Sequence, residues 1–204
     1  MTTVYLIRHA QSQPHPDQAE PDWPLSEVGE AQARGLAAVL APLGIQRLYC
    51  SPYRRCLDTL APFAEAAGLE LVADAGLRER RIAAVWMRDF RDVWRRSWED
   101  FSYALDGGES SLTCRERVAA AVEAIAARHP GETIALGSHG NAIGLLMNQV
   151  DLAFGFREAS ALRTPEIVRI VRRGGRFFWD RAFAAGAAFD ELATDFRATP
   201  GVVA

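Results

Sequence analysis

At 204 residues, with 49% hydrophobic and 24% charged residues, the chain has the composition of one globular domain, which excludes a disordered or fibrous chain. No stretch approaches the roughly 18 consecutive apolar residues of a membrane-spanning helix. A formal net charge of −3 argues against broad nucleic-acid binding. All 23 basic residues are arginine, which removes Schiff-base, pyridoxal-site and P-loop lysine chemistry. Cys50, Cys56 and Cys114 leave an odd cysteine and show no metal spacing, so they read as reduced thiols. Met1 to Ile7 carries no basic start and reaches Arg8 too early for a signal peptide. The expectation is a cytoplasmic protein that engages neither nucleic acid nor membrane. The oligomeric state stays open, a homodimer included.

Thr3 to Ile7 predicts a buried strand that ends at Arg8-His9. Gln11 to Pro24 reads as a loop, with prolines at 14, 16, 21 and 24. Ser26 can cap a helix running to about Ala41. Gln46 to Cys50 is a second strand. Pro52 can open a helix through Ala67 that Pro62 should kink or re-cap. Leu69 to Val72 is a third strand. Met87 to Phe101 is strongly amphipathic, with Met87, Phe90, Val93, Trp94, Trp98 and Phe101 on one face. Ser110 or Thr113 caps a long helix to Arg128, and Thr113-x-x-Glu116 fits a capping box. Thr133 to Leu136 is a strand leading into Gly137-Ser138-His139-Gly140, followed by a helix over Ala142 to Val150. Ile167–Val171 and Phe177–Trp179 form a hairpin around Gly174-Gly175, and the tail after Ala198 frays.

Strands alternating with helices predict an α/β three-layer sandwich, with a largely parallel central sheet and helices on both faces. The expected organisation is a single domain over residues 1–204, with a small helical cap inserted at about residues 80–108.

In open α/β sheets ligands bind beyond the carboxyl ends of the strands. Arg8-His9, Ser51 to Arg55, Glu79 and His139-Gly140 all fall there. The chain has only four histidines, and two of them, His9 and His139, sit at such strand ends beside arginines. One strand-end histidine is more often structural; a pair with arginines points to a site. The sequence holds no dense Asp/His cluster for a two-metal site, which agrees with the expectation that no metal is needed and no cofactor is used, the arginines and histidine supplying the charge.

Leu6-Ile7-Arg8-His9-Ala10-Gln11-Ser12 resembles the Arg-His-Gly/Ala signature of the histidine phosphatase superfamily, which includes the cofactor-dependent phosphoglycerate mutases. Leu25-Ser26-Glu27-Val28-Gly29, Ser51-Pro52-Tyr53-Arg54-Arg55-Cys56-Leu57-Asp58-Thr59, Leu77-Arg78-Glu79, Gly107-Gly108-Glu109-Ser110 and Ser138-His139-Gly140-Asn141 resemble its further motifs in the family's order. Arg128-His129 repeats the dipeptide at a helix end and carries no such context.

The resemblance implies catalysis by His9, Glu79, His139, Arg8 and Arg55. His9 would attack phosphorus and form a phosphohistidine. Arg8, Arg55 and His139 would surround the phosphoryl oxygens, and Glu79 would shuttle the proton. Arg55, followed by Cys56 and by Thr59 four positions on, fits the family pattern, whereas Arg54 does not. Cys56 stands where alanine is usual and reads as a small buried helix residue. Ser12, His15, Glu109 and Gly140 are the candidate substrate-binding residues. His15 stands where the family often has Asn, and the proline-rich loop offers it a place in the phosphate pocket or away from it. Glu109 precedes a helix start, where it suits the helix dipole or lies near the pocket.

Arg88, Arg91 and Arg95 share a stripe that suits a second anionic group. Local i,i+4 pairs (Arg88–Asp92, Arg95–Glu99, Arg96–Asp100) account for the cap arginines other than Arg91. The aromatic stripe reads as cap-to-core packing, with part of it at the mouth.

The expected function is a metal-independent phosphomonoesterase acting on a small phosphorylated metabolite through phosphohistidine. A phosphoglycerate mutase is the alternative, and an inactive phosphate-binding module the third reading. The short, aromatic stretch from Arg80 to Asp106 favours hydrolysis, because mutases of the family carry a longer, basic insertion there.

Overall fold

The computed structural model describes residues 1–84, 87 and 90–195. Its strands are β1 (Thr2–Arg8), β2 (Arg47–Cys50), β3 (Leu71–Ala73), β4 (Thr133–Ser138), β5 (Glu166–Arg173) and β6 (Arg176–Trp179). Its helices are α1 (Glu27–Leu40), α2 (Arg54–Ala67), α3 (Arg91–Glu99), α4 (Ser111–Arg128), α5 (Gly140–Val150), α6 (Phe156–Ser160) and α7 (Ala187–Leu192).

The strands form one sheet in the order β3-β2-β4-β1-β5-β6. The β3-β2-β4-β1 portion is parallel, while β5 runs antiparallel to both β1 and β6. The apolar run of β1 is continuous because both its faces are covered. Val4 and Leu6 enter one core with Ile134 and Leu136 of β4, over which lie Val118 and Val122 of α4 and Ile143 and Met147 of α5. Tyr5 and Ile7 enter the opposite core with Leu36 and Leu40 of α1, Leu60 and Phe63 of α2 and Phe189 of α7. The result is the expected three-layer α/β architecture with a mostly parallel sheet. No described helix is long and apolar enough to cross a membrane.

Several local expectations change. Ser26 caps α1 through the Gly29 amide as anticipated, but α2 starts at Arg54 and runs unbroken through Pro62. Leu60, Phe63 and Ala64 bury around that proline, and their packing outweighs one missing helical hydrogen bond. Ser110, not Thr113, caps α4, with its Oγ accepting from the Thr113 amide at 3.1 Å. The amphipathic stretch forms a helix only from Arg91 to Glu99, and Arg88 with its proposed pairing to Asp92 lies outside the described residues, as does the tail after Ala198. α6 and α7 were not legible, since helices of 5 and 6 residues hold too little periodicity to register.

The topology decides where a site can form. β1 and β4 are adjacent and parallel, yet the helices that follow them leave for opposite faces, α1 onto the Tyr5 side and α5 onto the Leu6 side. The chain diverges at the carboxyl ends of these two strands and opens a crevice between them.

Candidate active site

Arg8 and Ser138 are register partners at the ends of β1 and β4, and the His9 amide donates to the Ser138 carbonyl at 3.1 Å. The next residues, His9 and His139, therefore meet in the crevice with ring centroids 5.2 Å apart, edge to face. His9 Nδ1 lies 2.7 Å from the Ala10 carbonyl, which can only accept, so Nδ1 carries the proton. Nε2 is then the bare nitrogen, and Arg55 Nε donates to it at 3.3 Å. Burial holds the His9 imidazole well below its ordinary pKa, with Arg55 and Arg8 acting in the same direction. His9 is neutral and in one tautomer. Thr59 supports this turn: its Oγ1 accepts from the Ala10 amide at 2.9 Å and donates to the Arg55 carbonyl at 2.6 Å.

α2 separates the two adjacent arginines. Arg54 points to solvent and pairs with Asp58. Arg55 is buried, at 3% exposure, with its guanidinium 5.0 Å from the Tyr53 ring centre and 5.4 Å from that of Trp23. Its Nη1 donates to the Glu20 carbonyl at 2.8 Å and its Nη2 to Glu20 Oε1 at 2.9 Å. Arg8 Nη1 donates to the Leu162 carbonyl at 2.7 Å. Burial lowers the Arg8 guanidinium to about 10, against the pull of Glu79 and Glu166. Gly140 opens α5 directly over Arg8; a Cβ there would stand 3.0 Å from Arg8 Cζ, so the bare backbone allows the guanidinium to pass beneath the helix start.

Glu79 reaches the same helix start. Its Oε1 accepts from the amides of Arg80 at 2.7 Å and Ala142 at 3.0 Å, and Oε2 from Asn141 at 3.2 Å. An α5 N-terminus is a natural seat for a carboxylate. Arg117 of α4 holds the segment that carries Glu79, donating to the carbonyls of Gly76 at 2.8 Å and Arg78 at 3.0 Å.

The other expected residues divide. His139 is fully buried against His9, with Nε2 2.8 Å from Ser51 Oγ, and burial and Arg55 hold it well below its ordinary pKa. Ser12 lines the cavity and pairs with Leu25 through an isolated β-bridge. His15 does not reach the pocket: its Nδ1 accepts from the Asp17 amide at 3.2 Å and its ring faces solvent. The proline-rich loop turns this residue outward. Glu109 is also placed elsewhere, gripped by Arg117 at 2.8 and 2.7 Å and by Arg78 at 3.4 Å. It braces the loop behind Glu79 and does not line the cavity. Cys56 is buried beneath His139, with Sγ 3.4 Å from the Ser138 carbonyl, and burial pushes its thiol up.

The cavity above His9 has a volume of about 540 Å³. Arg8, His9, Arg55 and Glu79 form its base, while Trp23, Ile82, Phe90 and Trp94 form apolar walls. Trp94 and Trp98 of α3 pack on Phe156 of α6, at 4.9 and 6.3 Å between ring centres, so the aromatic stripe joins α3 to α6 and also reaches the cavity through Trp94. Arg95 pairs with Asp92 at i,i+3 and not with Glu99. Among the described residues no group of three or more His, Cys, Asp or Glu side chains could hold a metal ion. Sequence reasoning missed Glu20, Tyr53 and Arg117. Glu20 lies in a loop without periodicity, and Arg117 reads as one more surface cation on a helix.

A family model described as the histidine phosphatase superfamily (branch 1) matches residues 4–183. A "Probable phosphoglycerate mutase GpmB" of Escherichia coli O1:K1 / APEC is 31% identical over 163 residues, 74% of this chain and 75% of that protein. Among solved structures, a mycobacterial glucosyl-3-phosphoglycerate phosphatase complexed with inorganic phosphate superimposes with a TM-score of 0.73 and 22% identity, over 92% of this chain and 98% of that one. A phosphoserine phosphatase from Entamoeba histolytica, complexed with 3-phosphoglyceric acid, gives a TM-score of 0.74 at 20% identity, over 88% and 95% of the two chains.

Proposed function

The chain belongs to the histidine phosphatase superfamily, and on that premise we propose that it is a phosphomonoesterase that hydrolyses a small phosphorylated metabolite through a phosphohistidine on His9, without a metal. The observation that carries this reading is the fixed tautomer of His9. Its Nδ1–H is committed to the Ala10 carbonyl, so the Nε2 lone pair faces the cavity base beside Arg55.

In the first step the Nε2 lone pair forms the N–P bond and the P–O bond to the alcohol breaks. The leaving oxygen takes a proton from Glu79. Oε2, whose contact with the Asn141 amide is the longer at 3.2 Å, is the oxygen to carry that proton. Positive charge on the phosphorylated imidazole is shared with the Ala10 carbonyl through Nδ1–H. Arg8 and Arg55 offset the charge that spreads over the phosphoryl oxygens. His139 supports the His9 ring by edge-to-face contact from beneath the cavity floor, with its Nε2 engaged by Ser51 Oγ. In the second step Glu79 takes a proton from water, the water oxygen attacks phosphorus, the N–P bond breaks, and phosphate leaves with His9 neutral again.

The likeness to the GpmB protein supports a second reading, phosphoglycerate mutation, in which the same phosphohistidine returns its phosphoryl group to a sugar acid. Hydrolysis is favoured by the short, aromatic stretch from Arg80 to Asp106, which lacks the longer basic insertion of the family's mutases, while Arg80 and Arg81 on the cavity lining are the groups a substrate carboxylate would meet. The test is a panel of phosphorylated metabolites assayed with chelator for both phosphate release and isomerisation, together with trapping of an acid-labile phosphoenzyme. Phosphate release with label on wild type and none on His9→Ala supports the proposal. Label retained in full on His9→Ala refutes it, and isomerisation without phosphate release selects the mutase.

A further inference from the structure

Glu20 has no part in the mechanism above, yet its carboxylate pairs directly with a buried arginine of the site. It holds Arg55 by two groups, its backbone carbonyl on Nη1 at 2.8 Å and its Oε1 on Nη2 at 2.9 Å. The same guanidinium donates through Nε to the nucleophilic nitrogen of His9 at 3.3 Å. A phosphoryl group bonded to Nε2 would therefore sit beside the guanidinium that the Glu20 carboxylate already engages. A carboxylate and a phosphoryl group present the same pair of acceptor oxygens to an arginine fork. Glu20 lines the cavity together with His9 and Arg55, so the two anions share one compartment.

Resting on the proposed phosphoryl site, we propose that Glu20 is an internal competitor for Arg55, a carboxylate that incoming phosphomonoester must displace and that thereby sets the affinity of the site for phosphate dianions. The loop that carries it is suited to this. Glu20–Asp22 is a single 3-10 turn in which Glu20 is half-buried and Pro21 and Asp22 are exposed. Trp23 Nε1 donates to the carbonyls of His15 and Gln18, and the Gln18 and Asp22 amides donate to His15 and Ala19, so the loop is tied to itself. Arg55 fastens it to the core, by the two hydrogen bonds and by its position over the Trp23 ring. Releasing that grip frees the carboxylate without opening either hydrophobic core.

The charged and titratable groups around Glu20 are Arg55 and Tyr53 at the start of α2, Glu79, and Arg81. Burial raises the Glu20 carboxyl above its ordinary value; Arg55 opposes this and Glu79 adds to it. Once protonated, Glu20 no longer competes as an anion. The competition is thus strongest in alkali and fades as pH falls through the Glu20 pKa.

The experiment is calorimetric titration of the 204-residue chain with inorganic phosphate in EDTA, comparing wild type, Glu20→Gln, Glu20→Ala and Arg55→Ala, with melting curves to verify folding. The Glu20→Gln side chain keeps its shape and loses its charge. At about pH 8 it should bind phosphate at least about tenfold more tightly than wild type, because one opposing charge has been removed from a desolvated site. The ratio between the two proteins cancels the titration of phosphate itself, and should shrink toward one in acid. The KM for a nitrophenyl phosphate should fall in parallel, and Glu20→Ala should show the same sign. Arg55→Ala should abolish binding. Equal or weaker phosphate affinity in both Glu20 variants overturns the inference while leaving the phosphatase reading intact. Phosphate that binds none of the proteins, or binds Arg55→Ala as it binds wild type, overturns the anion site itself and the inference with it.

Discussion

Arg54 and Arg55 provide an internally controlled test of the site, because a helix advances about 100° per residue and so cannot aim both at one phosphate. Arg55 is 3% exposed and makes hydrogen bonds to His9 Nε2, the Glu20 carbonyl and Glu20 Oε1. When Nε2 becomes bonded to phosphorus it no longer accepts, and the Arg55 Nε–H is released to a phosphoryl oxygen that carries the developing charge. A preorganised donor at such a position typically contributes about 2.7–4 kcal/mol in the transition state, equivalent to roughly 10²–10³ in kcat. Arg55→Ala should therefore slow the phosphorylation burst by at least that factor. It also leaves the Glu20 carboxylate without its partner, but that side chain is 32% exposed and can turn to water, so the stability cost should stay near about 1–2 kcal/mol. The Arg54–Asp58 pair is 58% and 41% exposed. Solvent screening limits it to at most about 1 kcal/mol of stability, and Arg54→Ala should leave the burst within about threefold of wild type. Stopped-flow bursts with nitrophenyl phosphate, together with thermal melts of both variants, decide the matter. Equal burst losses, or a larger one in Arg54→Ala, would refute the assignment of Arg55 to the phosphoryl group.

Glu79→Gln should slow phosphorylation by alkyl phosphates by on the order of 10²–10⁴-fold and by nitrophenyl phosphate far less, because a phenolate leaves without a proton; equal burst losses would move the acid elsewhere. Activity should persist in excess EDTA, since Arg8 and Arg55 supply the positive charge; loss restored by a divalent ion would overturn this. Stability should fall as pH drops below about 6.5, the ordinary histidine value. Both His9 and His139 are held well below that value in the fold, so between it and their folded values the unfolded chain binds more protons. Each can contribute at most about 1.4 kcal/mol per pH unit in that window, and urea midpoints of His139→Asn should show a shallower acid slope than wild type. An unchanged slope would mean that His139 is not held neutral by the fold.

The parts legible in the sequence were those written as periodicity or as short contiguous motifs. β1 shows as an apolar run ending in Arg8-His9, and β4 as another ending in Ser138-His139, so the convergence of two strand ends could be anticipated without coordinates. Gly29 illustrates a motif residue whose reason appears only in the fold: a Cβ there would stand 1.9 Å from the Gln11 carbonyl oxygen, so the loop after His9 can cross α1 only over a glycine. What stayed hidden depends on distant pairing. Arg117 is 38 residues from Glu79 in the chain, and its grip on the Gly76 and Arg78 carbonyls has no local signature. Glu109 matched a motif, but Arg117 and Arg78 claim its carboxylate. His15 occupied the anticipated position in sequence, yet local hydrogen bonds within the loop decide where its ring points. Glu20 could not be distinguished from any other loop carboxylate.

Burial acts on both Arg8 and His9 at the base of this cavity, and its consequences differ because the two groups start from different places. The Arg8 guanidinium is lowered to about 10 and keeps its charge at neutral pH. The same surroundings, with two arginines adding repulsion, take a proton from His9 and leave the lone pair that nucleophilic attack requires. Arginine suits this arrangement better than lysine. An ordinary ammonium, near about 10.4, lowered to the same extent would come close to neutrality and lose part of the charge that the phosphoryl group needs. Hydrogen bonding then sorts the neutral histidines by role. The Ala10 carbonyl fixes the proton of His9 on the nitrogen facing away from Arg55, and Ser51 engages the Nε2 of His139 deeper in the fold. The buried ends of β1 and β4, where the chain diverges, are thus sufficient to hold cations and a neutral imidazole within contact distance, a combination that bulk water would not sustain.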